Sequence, residues 1–145
     1  LFVKNKRESD GSICVETSIT GVRKIYKSLK QNKVICFAAD QVPQRGMGEY
    51  IKFFNRDAYS TTLVQSLALK TGCPLVYFYI NSNKDNYLTV TLEMINKSIY
   101  NDSKHSQIIN KGIERIINKR PIDYSWEYKR FKKSKSDQQD PYSGI

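Results

Sequence analysis

A lone histidine, three cysteines and one stretch that mixes a carboxylate with two arginines are the residues of this chain that could carry chemistry. The histidine, His105, lies in NDSKHSQIIN at the head of a predicted helix. A general base needs a partner that orients it, and no carboxylate stands at a spacing that would supply one, so His105 reads as a solvated helix-start residue. Cys14, Cys36 and Cys73 are odd in number, widely separated and not beside a histidine. That pattern reads as reduced core thiols in a reducing, cytosol-facing location, without a disulfide framework or a zinc or iron ligand set. The glycines of RGMG do not have the spacing of a phosphate loop or a dinucleotide fingerprint. No catalytic set, cofactor motif or metal site is therefore visible.

What remains is a candidate binding stretch, Asp40 to Thr61, DQVPQRGMGEYIKFFNRDAYST. Asp40 has two compatible readings: it caps backbone N–H groups of the loop, or it presents a polar group to a site. Arg45 and Arg56 are either solvated charges or anchors for a phosphate through bidentate, charge-assisted hydrogen bonds. Phe53 and Phe54 are adjacent, and adjacent strand residues face opposite ways. One of them serves the core and the other is free to wall a ligand.

The elements that must position this stretch are legible from periodicity. From Thr17 or Ser18, Ile19, Val22, Ile25, Tyr26 and Leu29 recur at helical spacing to about Asn32. Val34 to Ala39 is a continuous apolar run, predicting a strand buried on both faces of a parallel sheet and ending at Asp40. Ser60 or Thr61 caps a second helix that ends at Gly72, and Pro74 to Ile80 predicts a second buried strand. NSNKDN is a turn, and Leu88, Val90, Leu92 and Met94 alternate with polar residues, so this strand and the preceding one form a hairpin. Ile108, Ile109, Ile113, Ile116 and Ile117 mark a third helix, and Pro121 opens a short fourth. The fold class is α/β, a partial central mixed β-sheet flanked by helices. Ligands in such sheets bind at the carboxyl ends of strands, where Asp40 sits.

At 145 residues the chain is about one domain, and it divides into a folded part, 1–133, and a tail, 134–145, whose low apolar content predicts disorder. Lys and Arg number 24 against 14 Asp and Glu, a formal charge of +10, which predicts attraction to polyanions: nucleic acid, anionic lipid or acidic protein. The apolar runs VICFAA and PLVYFYI fall far short of the roughly 20 residues a spanning helix needs. The stretch DYSWEYKRFKKSK admits three readings: a helix docked through Trp126 and Tyr128, a membrane-interface element, or a nucleic-acid patch. Packing plus a membrane surface is favoured, because no exposed stacking sheet or groove-reading helix is distinct.

The run GVRKIYKSLKQNKVICFAADQVPQRGMGEYIKFFNRDAYSTTLVQSLALKTGCPLVYFYI, with the closing PIDYSWEYKRFK, resembles the C-terminal half of the lipid A biosynthesis acyltransferases, the late lauroyl and myristoyl transferases of Gram-negative bacteria. The resemblance implies a glycerolipid-acyltransferase-like fold and transfer of a fatty acyl chain from acyl carrier protein to a phosphorylated glycolipid, at the cytoplasmic face of the inner membrane. It places Asp40, Phe54, Ala58 and Pro74 at positions matching the wider superfamily's strand-end acid, Phe, helix-start Ala and later Pro. The candidate substrate contacts are Asp40, Gln41, Arg45, Phe53, Phe54, Arg56 and Thr61. Candidate membrane-surface residues are Trp126, Lys129, Arg130, Lys132 and Lys133. The family's catalytic motif is a His followed, after four residues, by an acid. His105 is followed there by Asn110, so the motif and its membrane anchor are expected upstream of Leu1. Asn55, Asp57 and Tyr77 stand where the family commonly has Gly, Pro and a second Pro; Asn can reach positive φ, so the first change preserves the turn. The alternative is a basic binding module for nucleic acid or an acidic protein, with no catalysis.

Overall fold

The computed structural model describes residues 8, 11–16, 18–85, 87–101, 105–135 and 138–144. The chain divides into two compact units, residues 1–36 and 37–145. In the first, the expected amphipathic helix forms as α1, Ile19–Lys30. Ser18 is its N-cap, extended at φ −98° and ψ 167°, and its hydroxyl oxygen accepts from the Gly21 N–H at 3.1 Å. That bond satisfies one of the amides a helix start leaves open. Thr17, the other candidate cap, lies outside the described residues. Gly21 is dictated by close approach, because a Cβ there would stand 1.8 Å from the Glu16 carbonyl oxygen.

The second unit is two antiparallel hairpins served by one helix. β1 (Gly48–Phe53) pairs with β2 (Arg56–Thr61), from Gly48 opposite Thr61 to Phe53 opposite Arg56. α2 (Leu63–Thr71) follows and ends, as its sequence predicts, on Gly72 at φ 70°. β3 (Val76–Ser82) and β4 (Leu88–Met94) form the second expected hairpin. α3 (His105–Lys119) is the long amphipathic helix, with short 3-10 turns before it at Lys97–Tyr100 and after it at Pro121–Asp123. The α/β class is as expected.

α3 reaches both hairpins. Asn110 and Gln107 donate side-chain N–H groups to the Lys52 carbonyl of β1, each at 3.1 Å. Ile117 buries against Phe53 and Ala58 to make the core of the unit, with Phe54, Ile113, Tyr124 and Phe131 packed around it. On the other side, Tyr77 of β3 lies so close over Gly112 that a Cβ there would stand 1.9 Å from the phenol oxygen. Its hydroxyl donates toward the Ile108 and Ile109 carbonyls at 3.3 Å, and burial pushes its pKa up to about 12. Arg115 pairs with Glu93 of β4.

Several expectations need correction. Val34 to Ala39 is not a strand; it is irregular, with Val34 95% exposed. A strand needs the N–H and C=O groups of a neighbour, and both described sheets are closed local hairpins. Neither sheet is parallel. Pro74 to Ile80 is not buried on both faces. Val76, Phe78 and Ile80 share an exposed face with Val90, Leu92 and Met94 opposite them, because α3 covers only the other side. The candidate stretch Asp40 to Thr61 is a loop only to Met47, and Ala58 lies within β2, fully buried, instead of at a helix start. After Pro121 there is a single 3-10 turn in place of a fourth helix. The cysteines are free, but Cys36 is exposed, and Cys14 and Cys73 are only half-buried.

Candidate functional site

The β1–β2 hairpin turns through two residues, Phe54 and Asn55, both with positive φ at 47° and 61°. Two-residue turns of this kind match the twist of the flanking strands, and Asn suits the conformation while an aromatic does not. Phe54 is held there from three sides. Its N–H donates to Glu114 Oε1 at 3.0 Å, and its ring meets Phe53 edge-on at 4.9 Å and Trp126 at 6.5 Å. The turn delivers Arg56 to the start of β2. The Arg56 guanidinium lies over the Phe131 ring at 5.7 Å and donates through Nη2 to the Gln139 carbonyl.

The segment 124–133 straps this hairpin to the loop that precedes it. Arg130 is 3% exposed. It donates through Nη1 to the Tyr59 carbonyl at 2.9 Å and through Nη2 to Ser60 Oγ at 2.6 Å, and it covers the Phe53 ring at 5.1 Å. Ser60 Oγ also accepts from Asn110 Nδ2 at 3.1 Å and donates to the Ala58 carbonyl at 3.2 Å. Strap, β2 and α3 thus meet at one hydroxyl. Burial lowers the Arg130 pKa from its ordinary value, while Tyr124, Asp40, Tyr128 and Tyr142 act the other way.

From this anchor the strap reaches the loop. Tyr128 accepts the Val42 N–H at 2.6 Å, and Lys133 Nζ donates to the Pro43 carbonyl while lying 5.0 Å over the Tyr59 ring. Tyr59 accepts the N–H groups of Gly46 and Gly48 at 2.9 and 3.2 Å. The Tyr124 phenol is raised well above its ordinary value, first by burial and then by the Asp40 carboxylate nearby.

The structure therefore brings Asp40 beside Tyr124 and Arg130, and brings Phe54 and Arg56 to one shallow, solvent-open depression with Asn55, Gln138 and Gln139. Gln41 and Arg45 are exposed on the loop and do not join either group. Phe53 is core, 2% exposed. Thr61 serves α2, its Oγ1 accepting the Leu63 N–H at 3.2 Å. Arg130, expected at a membrane-facing surface, is buried instead, because β2 offers its guanidinium two acceptors. Lys133 also turns inward. Trp126 is 59% exposed, and Lys129 and Lys132 are exposed.

Sequence reasoning missed the polar groups beneath the hairpin. Asn110 stands on the helix face of Ile113 and Ile117, and a polar residue in an apolar stripe was the available signal. Glu49 accepts from Ser106 Oγ at 2.6 Å, and Gln65 donates to the same hydroxyl; nothing local in the sequence marks that triad. Among the described residues no group of three or more His, Cys, Asp or Glu is placed to hold a metal ion, and no helix is long and apolar enough to cross a membrane.

Replacing Arg130 by Lys keeps the charge but loses the planar fork that serves Tyr59 and Ser60 together. Arg130→Lys is expected to cost about 1–3 kcal/mol in denaturant unfolding, since a single ammonium cannot serve the Tyr59 carbonyl and Ser60 Oγ together. A change below about 0.5 kcal/mol, the range of ordinary surface substitutions, would mean that Arg130 does not anchor the strap.

The family model for bacterial lipid A biosynthesis acyltransferases matches residues 2–133. That span takes in the loop, both hairpins, α3 and the whole of the strap, residues 124–133. No curated protein matches the chain.

Proposed function

The chain belongs to the bacterial lipid A biosynthesis acyltransferase family, and from that premise we propose that it takes part in transferring a fatty acyl chain from acyl carrier protein to a phosphorylated lipid A precursor. The observation that carries this reading is the family match across the hairpin that presents Arg56. A guanidinium stacked on an aromatic ring at the rim of an open depression suits a phosphate oxygen. Phe54 and Trp126, in contact beside it, offer an apolar wall to an acyl chain. The formal charge of +10 favours an acidic carrier protein, a phosphorylated acceptor and an anionic leaflet alike, and requires no nucleic acid.

Acyl transfer to a hydroxyl needs a base to take the hydroxyl proton, attack of the oxygen on the thioester carbon, and donors for the oxyanion that forms. These 145 residues contain no His followed five positions on by an acid. The chain accordingly supplies acceptor and acyl-chain contacts in place of the base, and the described residues transfer no acyl group on their own. Asp40 belongs to the positioning framework, through its place beside Tyr124 and Arg130 at the head of the strapped loop.

On this reading the reaction runs at the cytoplasmic face of the inner membrane, a location supported by the basic charge and by Lys129, Lys132 and Trp126 as the exposed part of the basic, aromatic segment. Two measurements test these assignments. Affinity for a diphosphorylated glucosamine lipid in neutral micelles should fall about ten- to hundredfold in Arg56→Ala, as expected for loss of a charge-assisted hydrogen bond worth about 1.5–3 kcal/mol, with circular dichroism unchanged; equal affinity would remove Arg56 from acceptor binding. Binding to anionic vesicles should weaken in the Lys129→Ala/Lys132→Ala chain, each lysine near such a surface being worth about 1 kcal/mol. Vesicle binding that survives this change intact would place the membrane contact elsewhere.

A further inference from the structure

The position that Arg56 would offer to a phosphate is filled by the chain itself. We propose that residues 138–144 are an internal competitor at Arg56, and that a phosphorylated ligand reaches the guanidinium only by displacing them; the inference rests on the reading of Arg56 as a phosphate contact. The Gln139 carbonyl oxygen accepts from Arg56 Nη2, where a phosphate oxygen would sit. A carbonyl presents one oxygen and no charge, and it leaves the fork incomplete. Arg56 Nε is buried and has no hydrogen-bond partner among the described residues. A phosphate can meet Nη2 and Nε together with two charge-assisted bonds, so the ligand makes a contact that the tail cannot.

The tail is held by contacts of the kind that exchange readily. Asp57, the neighbour of Arg56 on β2, accepts from Lys135 Nζ and from Gln138 Nε2, both at 3.0 Å. Tyr142 accepts the Phe131 N–H at 3.1 Å, and Lys129 lies 5.4 Å over the Tyr142 ring. The Lys135 side chain is 39% exposed and the Asp57 side chain 13%; with its ammonium partly in water the pair contributes on the order of 1 kcal/mol. Gln138 and Gln139 complete the rim of the depression that Phe54, Asn55 and Arg56 begin. Asp57 therefore holds the tail across the ligand position without entering it. The apparent affinity for a ligand is the intrinsic affinity multiplied by the fraction of molecules in which the tail is displaced.

The test compares the full chain with Lys135→Ala/Gln138→Ala, which removes both side-chain ties to Asp57 and leaves Arg56 and its ring untouched. Binding is measured by titration with inorganic phosphate and, separately, with the diphosphorylated glucosamine lipid in neutral micelles. The variant should bind both about three- to tenfold more tightly, and adding Arg56→Ala should abolish the gain. Tyr142→Phe, which deletes the acceptor for the Phe131 N–H, should give a smaller gain in the same direction. A gain with the lipid alone identifies the competitor's target as the glycolipid phosphate in its own setting, and a gain with both identifies phosphate itself. Equal affinity of variant and full chain for both ligands overturns the inference while the phosphate reading of Arg56 stands. Absence of binding by every chain overturns that reading, and this inference with it.

Discussion

One buried guanidinium ties the second unit together. Arg130 has given up water for two acceptors on β2 and the face of Phe53; Nη1 and Nη2 are each met, while its buried Nε has no hydrogen-bond partner among the described residues, so the placement leans on those two bonds and the ring. Because Ser60 Oγ is shared with Asn110 of α3, the same group that receives the strap also receives the helix. The hairpin cannot move against α3 without disturbing Arg130, and Arg130 cannot leave without removing the side-chain donor to the Tyr59 carbonyl and one of the two donors to Ser60 Oγ. Everything nearer the surface is held at second hand. Tyr128 and Lys133 extend from that anchor to the backbone of the loop at Val42 and Pro43.

This arrangement explains how a loop with little secondary structure of its own can carry a site. Between Asp40 and Met47 the described backbone bonds are few: Gln41 to Ala38 and Met47 to Gln44. Its remaining order is supplied by three tyrosine or lysine side chains from elsewhere. The same logic applies to Phe54, whose positive φ costs conformational energy of the order of 1–3 kcal/mol and is held in place by Glu114, Phe53 and Trp126. Strain at the hairpin tip is thereby converted into a fixed direction for Arg56, the residue on which acceptor recognition is proposed to rest.

The parts of this fold legible in sequence were those decided locally. Ser18 and Gly72 announce helix ends, the apolar stripe of α3 announces a buried face, and the alternation from Leu88 to Met94 announces its strand. The failures share a cause, which is that long-range partners are invisible to periodicity. VICFAA reads as a buried strand, but strand formation needs a neighbour, and none pairs with it among the described residues. PLVYFYI reads as buried on both faces, but only one face found a helix. Arg130 reads as one more charge in YKRFKK, because nothing in the run distinguishes the residue that turns inward; only the two acceptors some seventy residues earlier do so. The binding stretch itself was located by its composition, while its division into a strapped loop and a strained hairpin was not, since the residues that divide it come from the other end of the chain.

Side chains of the C-terminal strap and of β2, more than the loop's own backbone, order the segment from Val42 to Gly48. Amide hydrogen exchange of Val42 and Gly46 tests this ordering most directly, because each N–H donates to a tyrosine hydroxyl and to no strand partner. Both amides should exchange more slowly than an unstructured peptide, and Val42 should lose its protection in Tyr128→Phe while Gly46 keeps most of it. Exchange of both at the unstructured rate in the unaltered chain would mean that these hydroxyls do not order the loop.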